Sequence, residues 1–153
     1  MNKASSALSK EIDSIAKKNG AILVGTVKIY MVENVIVIGT PFNENWHLSY
    51  IFSQAKRAIE EFRITRPLLN SVSQFLKSEG FEAKQKTPLS IYGDFRSLAA
   101  AAGLGHHGRN GLIINKDYSS GLVFSAIYTN APVEIKEKPE TLKCTDCGLC
   151  VEL

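Results

Sequence analysis

The stretch AILVGTVKIYMVENVIVIGTPF, residues 21–42, decides the fold. It holds two runs rich in Val and Ile on either side of Glu33-Asn34, which reads as a strand pair, and Pro41 ends the second strand. Upstream, ALSKEIDSIAKKNG puts Leu8, Ile12, Ile15 and Ala16 on one helical face, with Gly20 as the stop. Downstream, from His47 to Gly80, Tyr50, Ile51, Ala55, Ala58, Ile59 and Phe62, then Leu68, Leu69, Val72, Phe75 and Leu76, recur at three- and four-residue steps. That pattern is helical, and Pro67 is expected to divide or kink it because proline removes a backbone donor and crowds the preceding turn. FEAKQKT reads as a short strand. DFRSLAAAAG reads as a helix capped by Asp94 and ended by Gly103. GLIINKDYSSGLVFSAIYTN reads as two strands around KDYSSG. The expected class is α/β (α+β), with a mixed or largely antiparallel sheet covered by helices.

The chain has 153 residues, enough for one domain with its own core. With 44% hydrophobic and 22% charged residues it reads as globular rather than disordered. A formal net charge of +3, with no dense Lys/Arg block, gives no support for nucleic-acid binding. The first 18 residues lack the apolar core of a signal peptide, and no apolar run approaches the roughly 20 residues of a membrane helix, so a cytoplasmic protein without membrane contact is expected.

Three cysteines, Cys144, Cys147 and Cys150, form C-x2-C-x2-C at the end of a charged, proline-bearing tail. Thiolates bind soft metals, and this spacing can wrap three sulfurs around one iron–sulfur cluster, with Gly148 supplying a tight bend. An odd count at that spacing suits metal in a reducing compartment better than a disulfide scaffold. Zinc commonly takes four ligands and would need His47, His106 or His107 from far away. The bacterial ferredoxin run is C-x2-C-x2-C-x3-C-P. Its fourth cysteine would fall one position past Leu153, so the chain as given is expected to hold little or no stable cluster alone.

Gly103-x-Gly105-x-x-Gly108, in AAGLGHHGRNGL, formally matches a dinucleotide fingerprint, but a helix precedes it and a strand-like run follows it, the reverse of what that fingerprint needs. Two readings remain even. The glycines form a helix cap and turn, or Gly103, Gly105, Gly108 and Gly111 let the backbone approach a bulky ligand. His106 and His107 are adjacent and cannot both face one site. Arg109 and Asn110 suit an anionic or amide-bearing ligand, or cap strands. Trp46, beside His47, reads more readily as a core anchor than as a ligand platform.

GDFRSLAAAAGLGHHGRNGLIINKDYSSGLVFSAIYTNAPVE (93–134), followed by CTDCGLC (144–150), resembles the epoxyqueuosine reductase family and its anaerobic relatives, which share ancestry with corrinoid-dependent reductive dehalogenases. Ala102 to Asn110, Leu112 to Ile114, Ser120-Gly121, Thr129 and the three cysteines fall on the family pattern, and NVIVIGTPFN and SVSQFLKSEGFEA also look like family segments. The resemblance implies a nitroreductase-like, cobalamin-binding core over residues 1–133, then a linker and ferredoxin-type cysteine motif over 134–153. It implies that Gly103, Leu104, Gly105, His106, Gly108, Arg109 and Asn110 lie against the corrinoid, and that Cys144, Cys147 and Cys150 bind a [4Fe-4S] cluster passing electrons to it.

The chain departs from the pattern in three places. The ferredoxin module stops at its third cysteine, and LSYIFSQAKRAIEE (48–61) holds no equivalent of the family's acidic proton donor, Glu60 and Glu61 reading as a solvated face. Third, His106-His107 stands where the queuosine enzymes carry an aromatic–aliphatic pair. Without the acid, epoxide reduction would lack a positioned proton donor. The expectation is an iron–sulfur redox core served by a donor such as ferredoxin or flavodoxin, and able to form a homo-oligomer. The alternative is a non-catalytic ligand-binding or assembly module whose tail binds zinc or a partner.

Overall fold

A computed structural model describes residues 3–29, 33–41, 53–86, 95–135, 144, 147 and 148. Helix α1 (Lys3–Lys18) is followed by strands β1 (Leu23–Ile29) and β2 (Glu33–Pro41), helix α2 (Ser53–Ser78), β3 (Ala83–Lys86), α3 (Phe95–Ala101), the two-residue strands β4 (His106–His107) and β5 (Ile113–Ile114), and β6 (Leu122–Thr129). Four strands form one sheet in the order β1-β2-β6-β3, with every neighbouring pair antiparallel; β4 and β5 form a separate antiparallel hairpin. The class is the α+β arrangement expected, with an all-antiparallel sheet.

Strand β2 alternates its side chains between two cores. Ile36 and Ile38 join Ile127 of β6, Ile12 and Ala16 of α1, and Leu68, Leu69, Val72 and Leu76 of α2. Val35 and Val37 face the opposite side, with Ala99 of α3, Leu104, Ile113 and Phe124. The sheet is therefore the middle of three layers. Helices α1 and α2 cover one face, while α3 and the β4–β5 hairpin cover the other.

The helical spacing predicted the buried stripe of α1 and, over Leu68 to Leu76, that of α2, and α1 ends as Gly20 predicts. Gly20 has φ 102°, and Ala21 N–H donates to Ala16 O, which satisfies a carbonyl of the last turn. Three details differ from the sequence reading. Glu33 and Asn34 do not divide the two strands, since both are already in β2, opposite Ile29 and Lys28. Asn34 is a strand residue here because its side chain has a partner across the fold, Nδ2 donating to Ala131 O. Secondly, Pro67 does not divide α2, which runs unbroken for 26 residues. Pro67 is exposed, while Leu68, Leu69 and Val72 beside it are buried. The apolar stripe thus holds the helix together across a missing N–H that faces away from the core. Thirdly, the runs 112–114 and 122–129 do not pair as strands. A single bridge, Asn115 with Ser119, joins their ends, while Ile113–Ile114 pairs back to His106–His107 and β6 inserts between β2 and β3. Four consecutive β6 residues, Phe124 to Ile127, are buried, and a strand with two apolar faces takes a central place rather than a hairpin arm. Asp94, Trp46, His47, Tyr50 and Ile51 lie outside the described residues, and α2 side chains are described only from Arg63 onward.

Because α2 continues through Pro67, restoring the donor there should stabilise the protein. Proline in a helix interior costs about 3 kcal/mol relative to alanine, offset in part by the roughly 0.4–1 kcal/mol it contributes by stiffening the unfolded chain. Pro67→Ala is expected to raise the denaturant midpoint, by on the order of 1–2 kcal/mol. A lower midpoint would mean that α2 is broken there.

Candidate functional site

The glycine segment begins as the end of a helix. Gly103 has φ 74°, and Leu104 N–H donates to Ala99 O at 2.9 Å, the bond that closes a left-handed cap on α3. Leu104 then turns into the core. Gly103 ends a helix and a strand follows, an order that does not suit a dinucleotide phosphate loop. Beyond it, β4 and β5 run antiparallel, with His106 opposite Ile114 and His107 opposite Ile113.

The hairpin is closed by specific polar bonds. Gly108 N–H donates to Leu112 O, and Asn110 Oδ1 accepts from Leu112 N–H at 3.1 Å, so Asn110 serves the turn. Gly111 takes φ 74°, and its carbonyl accepts from Arg96 Nη1 of α3 at 3.2 Å. Asn115 does more than any other residue in the segment. Its Nδ2 donates to Leu104 O at 2.8 Å, its Oδ1 accepts from the amides of Asp117 and Tyr118, and its own N–H donates to Ser119 O. One side chain thus ties the glycine loop to the KDYSSG turn. In the sequence, Asn115 shows only as a polar residue opening a turn; its bond back to Leu104 is a tertiary fact.

The space freed by two of the glycines is taken by the chain itself. A Cβ on Gly105 would stand 2.6 Å from both Ile113 Cγ2 and Ile114 O, and one on Gly108 would stand 2.6 Å from Ile114 Cδ1. Both glycines let β5 close on β4. Gly25 of β1 plays the same part from below, since a Cβ there would meet Leu104 Cδ2 at 2.8 Å and Ala102 O at 3.0 Å. What the hairpin presents outward is the exposed His107, Arg109, Asn110 and Leu112. His106 is half-buried, and its Nε2 is buried with no hydrogen-bond partner among the described residues. The two histidines face differently, as their adjacency requires.

The other candidate residues lie on the tail. Segment 131–134 is strapped to the helix-covered face of the sheet. Ala131 and Val133 are buried, Glu134 N–H donates to Ser9 Oγ of α1, and Thr26 Oγ1 of β1 donates to Glu134 O. The tail therefore leaves the core after Glu134. Cys144 is half-buried and Cys147 exposed; Gly148 takes φ 80°, the bend expected of it; Cys150 lies outside the described residues. Among the described residues no group of three His, Cys, Asp or Glu side chains gathers to hold a metal, and no helix is long and apolar enough to cross a membrane. The thiolates Cys144 and Cys147 suit iron or zinc by their chemistry.

Gly25 and Thr26 are consecutive on an edge strand and point to opposite faces. The glycine loop rests on one face and the base of the tail is held on the other. The two candidate sites are joined through one strand.

No family model matches the chain. In sequence it is similar to the epoxyqueuosine reductase of Lactococcus garvieae, 38% identical over 56 residues, which is 37% of this chain and 16% of the relative. It is 29% identical to that of Staphylococcus aureus over 104 residues, 67% of this chain and 27% of the relative. In fold it matches an epoxyqueuosine reductase solved with a tRNA-Tyr stem loop, with a TM-score of 0.74 at 17% identity, covering 95% of this chain and 51% of the other. It also matches a reductive dehalogenase described for B12-dependent dehalogenation, with a TM-score of 0.76 at 13% identity, covering 94% of this chain and 22% of the other. The chain is thus epoxyqueuosine reductase-like in sequence and shares its fold with both groups of reductases. It spans about half the length of that solved epoxyqueuosine reductase and no more than 27% of these curated relatives.

Two substitutions probe the hairpin. Asn115→Ala leaves the Asp117 and Tyr118 amides and Leu104 O without their partner, and should speed hydrogen exchange at Asp117 and Tyr118 by on the order of tenfold or more, a lost bond being worth about 1–3 kcal/mol. Gly105→Ala forces a Cβ against the Ile114 backbone, and should destabilise the protein by about 1–3 kcal/mol on overpacking alone, read from the denaturant midpoint. Gly20→Ala, with nothing within 4 Å of its Cβ, is the comparison for backbone strain without a clash.

Proposed function

We propose that this chain is the cofactor-binding core of an iron–sulfur redox protein, with residues 1–133 carrying a corrinoid against the glycine hairpin and residues 134–153 carrying the cysteine motif. The observation that supports this most is the shared fold. Relatives on it reduce different things, an epoxide in one group and a halogenated compound in the other, and both are reductases. A fold that serves two reductions fits a role in holding the reducing cofactor better than a role in recognising one substrate.

A corrinoid supplies, when bound, a cobalt centre that takes up and gives away electrons. The chain's own contribution is placement. Gly103 and Asn115 fix the hairpin's backbone, His106, His107, Arg109 and Asn110 are the polar groups it brings to the candidate surface, and Cys144, Cys147 and Cys150 are the thiolates for a [4Fe-4S] cluster. A small electron carrier such as ferredoxin or flavodoxin is the fitting donor. The mild net charge gives no support for a nucleic-acid substrate.

The test is a titration of cob(II)alamin followed by its absorption spectrum, together with iron, sulfide and zinc analysis after anaerobic reconstitution. A saturable spectral change is expected, with iron and sulfide well below a four-iron complement per chain, because three cysteines do not complete a four-thiolate ligand set, and with that residual iron falling further in Cys144→Ser and Cys147→Ser. Absence of any spectral change or measurable affinity would remove the corrinoid. Stoichiometric zinc without sulfide would instead support a non-catalytic module.

A further inference from the structure

Asparagine followed by glycine occurs twice in the chain, at Asn19-Gly20 and Asn110-Gly111. In such a pair the side-chain amide is open to attack by the main chain, because glycine has no Cβ to screen its own nitrogen. The two pairs have much in common. Both asparagines are exposed, both glycines take a positive φ, 102° and 74°, and both glycine amides donate within their turns, Gly20 to Lys17 O and Gly111 to Gly108 O. The carboxamides differ. That of Asn19 folds back along α1, with Nδ2 donating to Ile15 O at 2.8 Å and Oδ1 accepting from Ser71 Oγ at 3.2 Å. That of Asn110 folds forward, with Oδ1 accepting from Leu112 N–H at 3.1 Å. A bond to the second residue ahead carries Cγ over the peptide group in between, which holds the Gly111 nitrogen. The same N–H stabilises the negative charge that gathers on Oδ1 when Cγ is attacked.

We propose that Asn110 is a modification site, at which the Gly111 nitrogen displaces ammonia from the side chain and water then opens the ring. Gly111 N loses its proton to a solvent base and forms a bond to Asn110 Cγ. The Cγ–Nδ2 bond breaks, and Nδ2 takes a proton from water and leaves as ammonia. The cyclic imide then takes up water. Opening at Cγ gives aspartate, and opening at the main-chain carbonyl of residue 110 gives isoaspartate, in which the chain runs through Cγ. Nothing is oxidised or reduced, and water is the sole co-reactant. Either product puts a carboxylate next to Arg109 on the outward side of the hairpin, where a neutral amide stood. Aspartate keeps an acceptor for Leu112 N–H. Isoaspartate also lengthens the main chain by a methylene, inside a turn closed by Gly108 N–H to Leu112 O and by Leu112 N–H to Asn110 Oδ1. The charge and closure of the turn therefore change with the age of the molecule. Isoaspartyl protein is also the substrate class of the methyltransferases that methylate that carboxylate from S-adenosylmethionine. The site stands apart from the corrinoid reading and needs no cofactor.

The test is to age the full chain at mildly alkaline pH, folded and in parallel unfolded in guanidinium chloride. Peptides spanning each pair are then followed by mass spectrometry, with fragmentation that separates aspartate from isoaspartate. In the folded chain Asn110 is expected to react faster than Asn19 by on the order of tenfold, the worth of the further carboxamide hydrogen bond that Asn19 must break. In the unfolded chain the two should react at similar rates, since only the fold distinguishes their side chains. Hydrogen exchange at Gly108 and Leu112 reads the turn. It should be faster in the aged chain than in fresh protein, and unchanged in Asn110→Asp, which supplies the carboxylate without the extra methylene. Asn110 left intact in the folded chain, Asn19 reacting as fast, or the same preference persisting in guanidinium overturns the proposal. An aged chain that carries isoaspartate at 110 and exchanges Gly108 and Leu112 at the fresh rate overturns the opening of the turn.

Discussion

The structure depends on β2 being apolar on both faces. Val35 and Val37 point one way, Ile36 and Ile38 the other, and all four are fully buried. Each such side chain stabilises the fold by about 1.5–3 kcal/mol relative to exposure. A strand of this kind needs a cover on each side. Helices α1 and α2 supply one, and α3 with the hairpin supplies the other. The backbone of β2 is satisfied by β1 along one edge and β6 along the other. The position of the candidate site follows, because α3 and the hairpin sit where Val35, Val37 and Phe124 need a lid.

The part of this that the sequence shows is the part written in local period. The stripes of α1 and α2, the strand pair at 21–42 and the glycine stops at Gly20 and Gly103 depend on neighbours within a few residues. The failures share a cause of the opposite kind. Asn34 looks like a turn residue until Ala131, 97 residues away, supplies the partner for its side chain. Pro67 looks like a breaker until the residues after it are seen buried against the sheet. Ile113–Ile114 looks like one arm of a hairpin with β6, but β6 is claimed by the main sheet, and the short strand turns back on His106–His107. Nothing local distinguishes these cases, since each depends on which surfaces meet after the chain has folded.

The glycine loop shows how two readings can both be partly true. Gly103 is a cap, and Gly105 and Gly108 are close-approach glycines, but what approaches them is the chain's own β5. Close approach was therefore legible in the pattern, whereas the identity of the approaching group was not. Asn110 is used in the turn, and Arg96 of α3 in the clasp to Gly111. The unpartnered nitrogen of His106 has no signature in sequence at all, because it is defined by what its neighbours do not provide.

Strand β1 ties the two candidate sites together more tightly than their separation in sequence suggests. Gly25 and Thr26 are adjacent, and a strand's alternation places them on opposite faces. The missing Cβ of Gly25 lets Ala102 and Leu104 seat against one face, while Thr26 Oγ1 holds the Glu134 carbonyl on the other. The tail thus starts on the helix side of the sheet, yet β1 is an edge, and only that single strand separates the start from the hairpin. Nine residues lie between Glu134 and Cys144, ten steps along the chain, and a chain of that length reaches at most about 35 Å. In this sheet both attachments use the same dipeptide. Any change at β1 that moves the loop must also move the strap, because a strand two residues long between the attachments has no slack to absorb it.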